Sequence, residues 1–338
     1  MKISNQLRAY PITNVKIYLG LVIIFFGLSC SSDDDDDDRL GNWVNSSVFD
    51  GTPRSSAVAF TIGNKGYMGT GFDGDDYLKD FWVYDMDGNF WSQLADFSGS
   101  ARSAGVAFAN KTRGYLGLGF DGDNELGDFY AYDTVTNTWD SITRFPGTPR
   151  RGAIAFNSEN FGYVGTGFDG DNDKKDFWKY SPQTDSWEEL VGFGGSKRRE
   201  ATTFIIGDKV YMGTGISNGL DQDDFWVFDT NTEVWSALTD LDTDDYDITR
   251  SSAIGFTIGD RGYIACGDIG GGVTNTVWEY NPSTDFWDEK TSFEGVTRRD
   301  AITFYNGTRA FIALGRSGNL YLDDNWEFFP FEEEDEDD

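Results

Sequence analysis

Residues 54–91 read RSSAVAFTIGNKGYMGTGFDGDDYLKDFWVYDMDGNFW, and their register returns five more times along the chain. Aligned on Phe60, the same position recurs at Phe108, Phe156, Phe204, Phe256 and Phe304, at spacings of 48, 48, 48, 52 and 48 residues. Six residues before each stands an arginine: Arg54, Arg102, Arg150, Arg198, Arg250 and Arg298. Seven residues after each comes an aromatic, from Tyr67 to Phe311, and fifteen further on sit Trp82, Tyr130, Trp178, Trp226, Trp278 and Trp326. Within the quoted copy, runs of β-formers broken by turn residues predict four short strands: Ser56–Thr61, Gly66–Gly71, Asp80–Tyr84 and Asn89–Leu94.

Four antiparallel strands in a unit of about 48 residues, six times over, predict an all-β, six-bladed β-propeller. Small residues in the first strand (Ala57, Ala59, Ala153, Ala155) suit the crowded innermost position. The tryptophans of the later strands fill the widening space between blades. Trp91, Trp139, Trp187 and Trp287 each precede the next arginine by 11 residues, and so does Trp43, although no complete blade comes before it. The sixth unit ends after its third strand. The strand around residues 42–45 is therefore expected to close the last blade, making one domain over about 40–330.

The stretch from Asp80 to Asp85 (DFWVYD) with Trp91, and its copies at Asp176–Tyr180 with Trp187 and at Asp224–Asp229 with Trp235, resembles the third and fourth strands of the kelch repeat. The adjacent glycine pair of that family becomes a spaced pair here, as in Gly69-Thr70-Gly71 and Gly117-Leu118-Gly119. The resemblance implies a divergent kelch-like propeller. Such propellers include enzymes and binding modules alike, so it leaves activity open.

Upstream of the repeats, Lys2, Arg8 and Lys16 precede the apolar run Ile17–Leu28, which is too short for a bilayer-spanning helix of about 20 residues. This reads as an export signal. With Ser29-Cys30-Ser31-Ser32 and six aspartates after it, the segment resembles a bacterial lipoprotein precursor of the Bacteroidetes surface-exposed type. The resemblance implies a signal peptide over 1–29, lipidation of Cys30, an acidic tether over 30–39, and display on the outer membrane by a lipid anchor alone. A purely solubilising spacer is the other reading of the aspartates. The second cysteine, Cys266, lies in an apolar strand pattern and is expected to be buried and unpaired.

The chain holds 58 acidic against 27 basic residues, a formal charge of −31, and no histidine. The aspartate run and the acidic tail over 331–338 carry 13 of the acids, so the body is acidic in its own right. A nucleic-acid partner is not expected, because phosphate binding needs clustered cations. Absence of histidine removes Ser-His and Cys-His nucleophiles and most zinc and copper sites, including the copper-radical oxidase chemistry found on this architecture.

Two features rise above the scaffold. The six arginines each open an innermost strand and are expected to ring one mouth of the central channel. There they either contact a ligand or pair with framework groups, such as the recurrent Asp80, Asp128, Asp176, Asp224 and Asp324. The doublets Arg150-Arg151, Arg198-Arg199 and Arg298-Arg299 thicken that ring. Blades one to three also carry the loop Gly-Phe-Asp-Gly-Asp on the same face. Its carboxylates (Asp73, Asp75, Asp121, Asp123, Asp169, Asp171 and Asp173) are candidate calcium ligands, or plain Asp-Gly turns. Phe72, Phe120 and Phe168 are candidate ligand-stacking residues, or packing between loops. The expected function is recognition of a glycan or protein at the cell surface by a monomeric body. The alternatives are a hydrolase, lyase or isomerase acting on an acidic sugar, or a component of an outer-membrane assembly.

Overall fold

The computed structural model describes residues 39–335. The signal segment, Cys30, nearly all of the tether and the end of the acidic tail lie outside the described residues. Six four-stranded antiparallel sheets follow one another, and no helix occurs among the described residues. In the first blade the strands are Val58–Ile62, Lys65–Gly69, Phe81–Asp85 and Phe90–Gln93, each within about two residues of its expected position. The sixth blade is completed by Asn42–Asn45, paired with Asn325–Phe329 in the register Trp43 to Phe328. The ring is closed by its two chain ends, as the orphan Trp43 predicts.

The first strands stand side by side around the axis. Because successive side chains alternate, Ala59, Ala107, Ala155, Thr203, Gly255 and Thr303 all face the channel. Their smallness lets six strands approach the axis. The intervening residues, such as Val58 and Phe60, point back into the sheet-to-sheet cores.

Between blades the packing is aromatic on aromatic. Trp139 meets Phe81 edge-on at 4.9 Å, Trp187–Phe129 and Trp235–Phe177 repeat the contact at 5.1 and 5.3 Å, and Trp287 meets Phe225 at 5.4 Å with the rings tilted. Each pair joins a fourth strand to the third strand of the preceding blade. Such pairs contribute roughly 0.5–1.5 kcal/mol beyond their buried area. Gly114 shows how close the sheets come: a Cβ there would lie 1.9 Å from the Phe60 ring of the preceding blade.

One element was not foreseen. Blades four to six carry a two-stranded ribbon between their second and third strands, at Ile216–Ser217 with Leu220–Asp221, Asp268–Ile269 with Gly272–Val273, and Arg316–Ser317 with Leu320–Tyr321.

Trp43 is fully buried against Phe293 and Phe328 and locks the two ends together. Trp43→Ala is expected to lower the unfolding free energy in a urea titration by about 3–5 kcal/mol. The same change at the partly exposed Trp187 should cost clearly less.

Candidate functional site

The ring arginines come first, because they define the face. None reaches solvent: all six side chains are at most 1 % exposed. Arg54 donates from Nε to the Thr52 carbonyl (2.9 Å), from Nη1 to the Thr70 carbonyl (3.1 Å), and from both Nη atoms to Asp80, the Nη2–Oδ2 bond being 2.7 Å. The Phe49 ring lies 5.2 Å from the guanidinium. Arg102, Arg150 and Arg298 repeat this set with Asp128, Asp176 and Asp324. Arg198 bonds Asp224 through Nη2. Of the two roles expected for the ring, five of the arginines take the framework one, each clamping an aspartate, while Arg250 bonds carbonyls alone.

The clamp also accounts for the spaced glycines. Thr70, between Gly69 and Gly71, sits in the left-handed region at φ 63°, as do Leu118, Thr166, Thr214, Cys266 and Leu314 at the matching positions. That twist turns the carbonyl toward the arginine, while the following Gly71 amide donates to the Arg102 carbonyl of the next blade at 2.7 Å. Burial pushes the carboxyls of Asp80, Asp128 and Asp176 upward, but the hydrogen bond and charge of the clamped arginine outweigh it and leave them below the usual carboxylate range. Asp128→Asn should cost about 2–3 kcal/mol at neutral pH. A depressed carboxyl stabilises above its unfolded pKa of about 3.9. The difference between wild type and variant should therefore hold above pH about 4 and close as the pH falls through the lower folded value.

Above the clamps, the residue two places after each arginine forms the rim of the channel. Ser56, Ala104, Gly152, Glu200, Ser252 and Asp300 all have φ between 50 and 58°. Their amides and carbonyls join in a closed circle: Ala104 N donates to Ser56 O (2.9 Å), Gly152 to Ala104, Glu200 to Gly152, Ser252 to Glu200, Asp300 to Ser252 and Ser56 to Asp300. Because backbone alone makes this circle, its side chains are free to differ.

Three of them gather polar chemistry. The Ser252 hydroxyl donates to Glu200 Oε2 (3.1 Å), and Arg316 Nε donates to Asp300 Oδ2 (3.0 Å). Arg199 Nε lies 3.6 Å from Glu200, and Arg299 Nε 3.8 Å from Asp300. Desolvation, then the charge of Asp300, raises the Glu200 carboxyl above its ordinary value. Its side chain nonetheless keeps 38 % of its surface open, so a ligand can reach it. Neither Glu200 nor Asp300 is singled out by sequence. The available signal was the break in the repeat, acids at two of six otherwise small positions.

The second-to-third-strand loops lie on this face, since Ser55 bridges Phe72, Ser103 bridges Phe120 and Arg151 bridges Phe168. The three phenylalanines are half-buried and belong to one arc. Tyr321, Phe72, Tyr77 and Phe120 follow one another at 6.1, 4.9 and 5.9 Å. Arg151 then lies over Phe120 and Phe168 (4.5 and 5.4 Å), and Arg199 over Phe168 (5.0 Å). The loop carboxylates serve mainly their own turns: Asp73 Oδ1 accepts from the amides of Asp75 and Asp76, Asp121 from Asp123 and Asn124, and Asp169 from Asp171 and Asn172. Asp169 also pairs with Lys174, and Asp173 with Arg199. Among the described residues no three acidic side chains converge as a metal cluster.

A cavity of 510 Å³ opens at the other end of the channel beside Gly63, Asn306 and Gly307. Its only titratable lining residue is Tyr305, so it offers little to acid–base or ionic recognition. The loop face holds the chemistry.

With that geometry in view, known proteins can be compared. Residues 119–246 match the family model described as the KLHDC2/KLHL20/DRC7 Kelch-repeats domain. The chain is similar to the solved structure of YjhT, at 15 % identity and a TM-score of 0.69, over 81 % of this chain and 94 % of that one. No curated protein sequence matches it. The fold is therefore a six-bladed β-propeller, with kelch-type repeats matched over residues 119–246.

Glu200→Gln tests the rim. A raised carboxyl destabilises the fold where it is ionised, so the variant should be more stable than wild type at neutral pH. That gain should vanish as the pH falls below the unfolded value of about 4.3, read by thermal melts across pH.

Proposed function

We propose that this propeller is a recognition module that binds a glycan at the channel mouth on its loop face. The observation carrying this reading is the arc of half-buried aromatic rings and stacked guanidinium groups from Tyr321 to Arg199, which ends beside Glu200, Ser252 and Asp300. Sugar rings present apolar C–H faces to aromatic planes and hydroxyls to forked donors and carboxylates, and the mouth supplies both. Kelch propellers commonly serve as protein-binding modules, so a protein ligand is the natural competing outcome of the test. A lipid at Cys30, expected from the sequence signal alone, would hold the module at the outer membrane surface.

A second reading has one observation in its favour. Glu200, raised by desolvation beside the guanidinium of Arg199, has the character of an acid–base group. It would suit an isomerase, lyase or hydrolase acting on a sugar.

The protein, screened against neutral and acidic oligosaccharides with calcium and with chelator, is expected to bind one glycan class. Affinity should fall about tenfold or more in Arg199→Ala or Phe168→Ala, a loss of about 1.4 kcal/mol. Calcium dependence would bring the Asp73, Asp121 and Asp169 loops into the site. Silence in both arms from folded protein would sink the glycan reading. Sugar turnover lost in Glu200→Gln would favour the second one.

A further inference from the structure

The fifth blade breaks the clamp. Where the other five have an aspartate, it has Thr276. Arg250 is fully buried, donating from Nε to the Ile248 carbonyl (3.1 Å) and from Nη1 to the carbonyls of Cys266 (3.0 Å) and Thr276 (3.4 Å). Its Nη2 is buried with no partner, and so is the indole Nε1 of Trp278.

These two orphans correspond to the donors that hold the aspartate elsewhere. In blades one, three and six, a single carboxylate oxygen accepts from both. Asp80 Oδ2 takes Arg54 Nη2 and Trp82 Nε1 at 2.7 Å each. Asp176 Oδ2 takes Arg150 and Trp178 at 2.8 and 2.9 Å, and Asp324 Oδ2 takes Arg298 and Trp326 at 2.6 and 2.8 Å. In blade four, Trp226 likewise donates to Asp224 Oδ2 (2.8 Å).

We propose that blade five binds a small monovalent anion, chloride in ordinary media, between Arg250 Nη2 and Trp278 Nε1, at the place a carboxylate oxygen takes in the neighbouring blades. Removing a guanidinium from water costs several kcal/mol unless a counter-charge is in contact, and a neutral water would leave that charge uncompensated. Burial lowers the Arg250 pKa to about 10, with the charges of Asp247 and Glu289 opposing the shift, so the group remains a cation at neutral pH. Neither carboxylate bonds it, and Asp247 Oδ1 is engaged by Thr249. An entry path follows from the repeat. The aspartates of the intact clamps keep 23 to 31 % of their side-chain surface open, and Thr276 stands at the same half-exposed edge.

The test compares thermal melts of the whole protein in chloride and bromide with melts at equal ionic strength in gluconate, for wild type and Thr276→Asp. The halides should raise Tm in wild type only. Thr276→Asp, carrying its own carboxylate, should melt about 2–4 °C higher than wild type in gluconate and respond no further to halide. Bromide-soaked wild-type crystals give a readout that needs no variant: an anomalous peak between Arg250 and Trp278. Absence of that peak, a wild-type Tm indifferent to halide, or halide stabilisation that survives unchanged in Thr276→Asp would each overturn the assignment and leave the donors hydrated only.

Discussion

A guanidinium offers five N–H donors in one plane, and the propeller uses that plane as its joint. In each intact clamp, the arginine ties together the loop two residues behind it, the carbonyl sixteen ahead and the carboxylate twenty-six ahead, over a phenylalanine five behind. These are the places where a blade is entered, where its second strand ends and where its third begins. The glycine after the bonded carbonyl passes the constraint on by donating to the arginine carbonyl of the next blade. The single length change lies before Arg250, in the blade without a clamp aspartate. There Leu241 N donates to the Asp223 carbonyl as Phe97 N does to Lys79, so Leu241 takes the place of the clamp phenylalanine and the extra residues lie between it and the arginine, with Tyr246 and Ile248 buried among them.

The mouth to which we assign ligand binding lies one layer above this frame. The rim circle is made of amides and carbonyls, so the frame prescribes a left-handed backbone there but not a side chain. Glycine would adopt it without steric cost, whereas other residues give up roughly 1–2 kcal/mol each. Only one of the six is glycine. Keeping Glu200 and Asp300 in that conformation, with Glu200 desolvated enough to raise its carboxyl, runs against stability.

The architecture was legible because repetition converts weak local signals into a register. Four runs of β-formers in one copy are ambiguous; six copies at nearly constant spacing are not, and Trp43 without a blade of its own announces the closure. The small ribbons of blades four to six were not legible, since Gly-Ile-Ser-Asn-Gly-Leu-Asp has no run of β-formers and its two pairs form across a tight turn. The ring arginines were ambiguous for a deeper reason. Holding a ligand carboxylate and holding a framework aspartate demand the same fork, and only burial separates the two. Glu200 left only the break in the repeat as a signal, because its character depends first on burial and then on Asp300, one hundred residues away.

The pairing at the mouth also bears on what kind of ligand fits. Each partly exposed guanidinium there already holds a carboxylate: Arg151 holds Glu125, Arg199 holds Asp173, Arg299 holds Asp268 and Arg316 holds Asp300. An anionic ligand would have to displace those partners within a body that is strongly negative overall, and so would meet repulsion on approach. A neutral, hydroxyl-rich ligand meets no such cost. It can take the remaining N–H donors and carboxylate lone pairs together, leave the ion pairs intact, and lay its apolar face on the phenylalanine arc. For the glycan reading proposed above, the charge arrangement thus favours a neutral sugar over an acidic one.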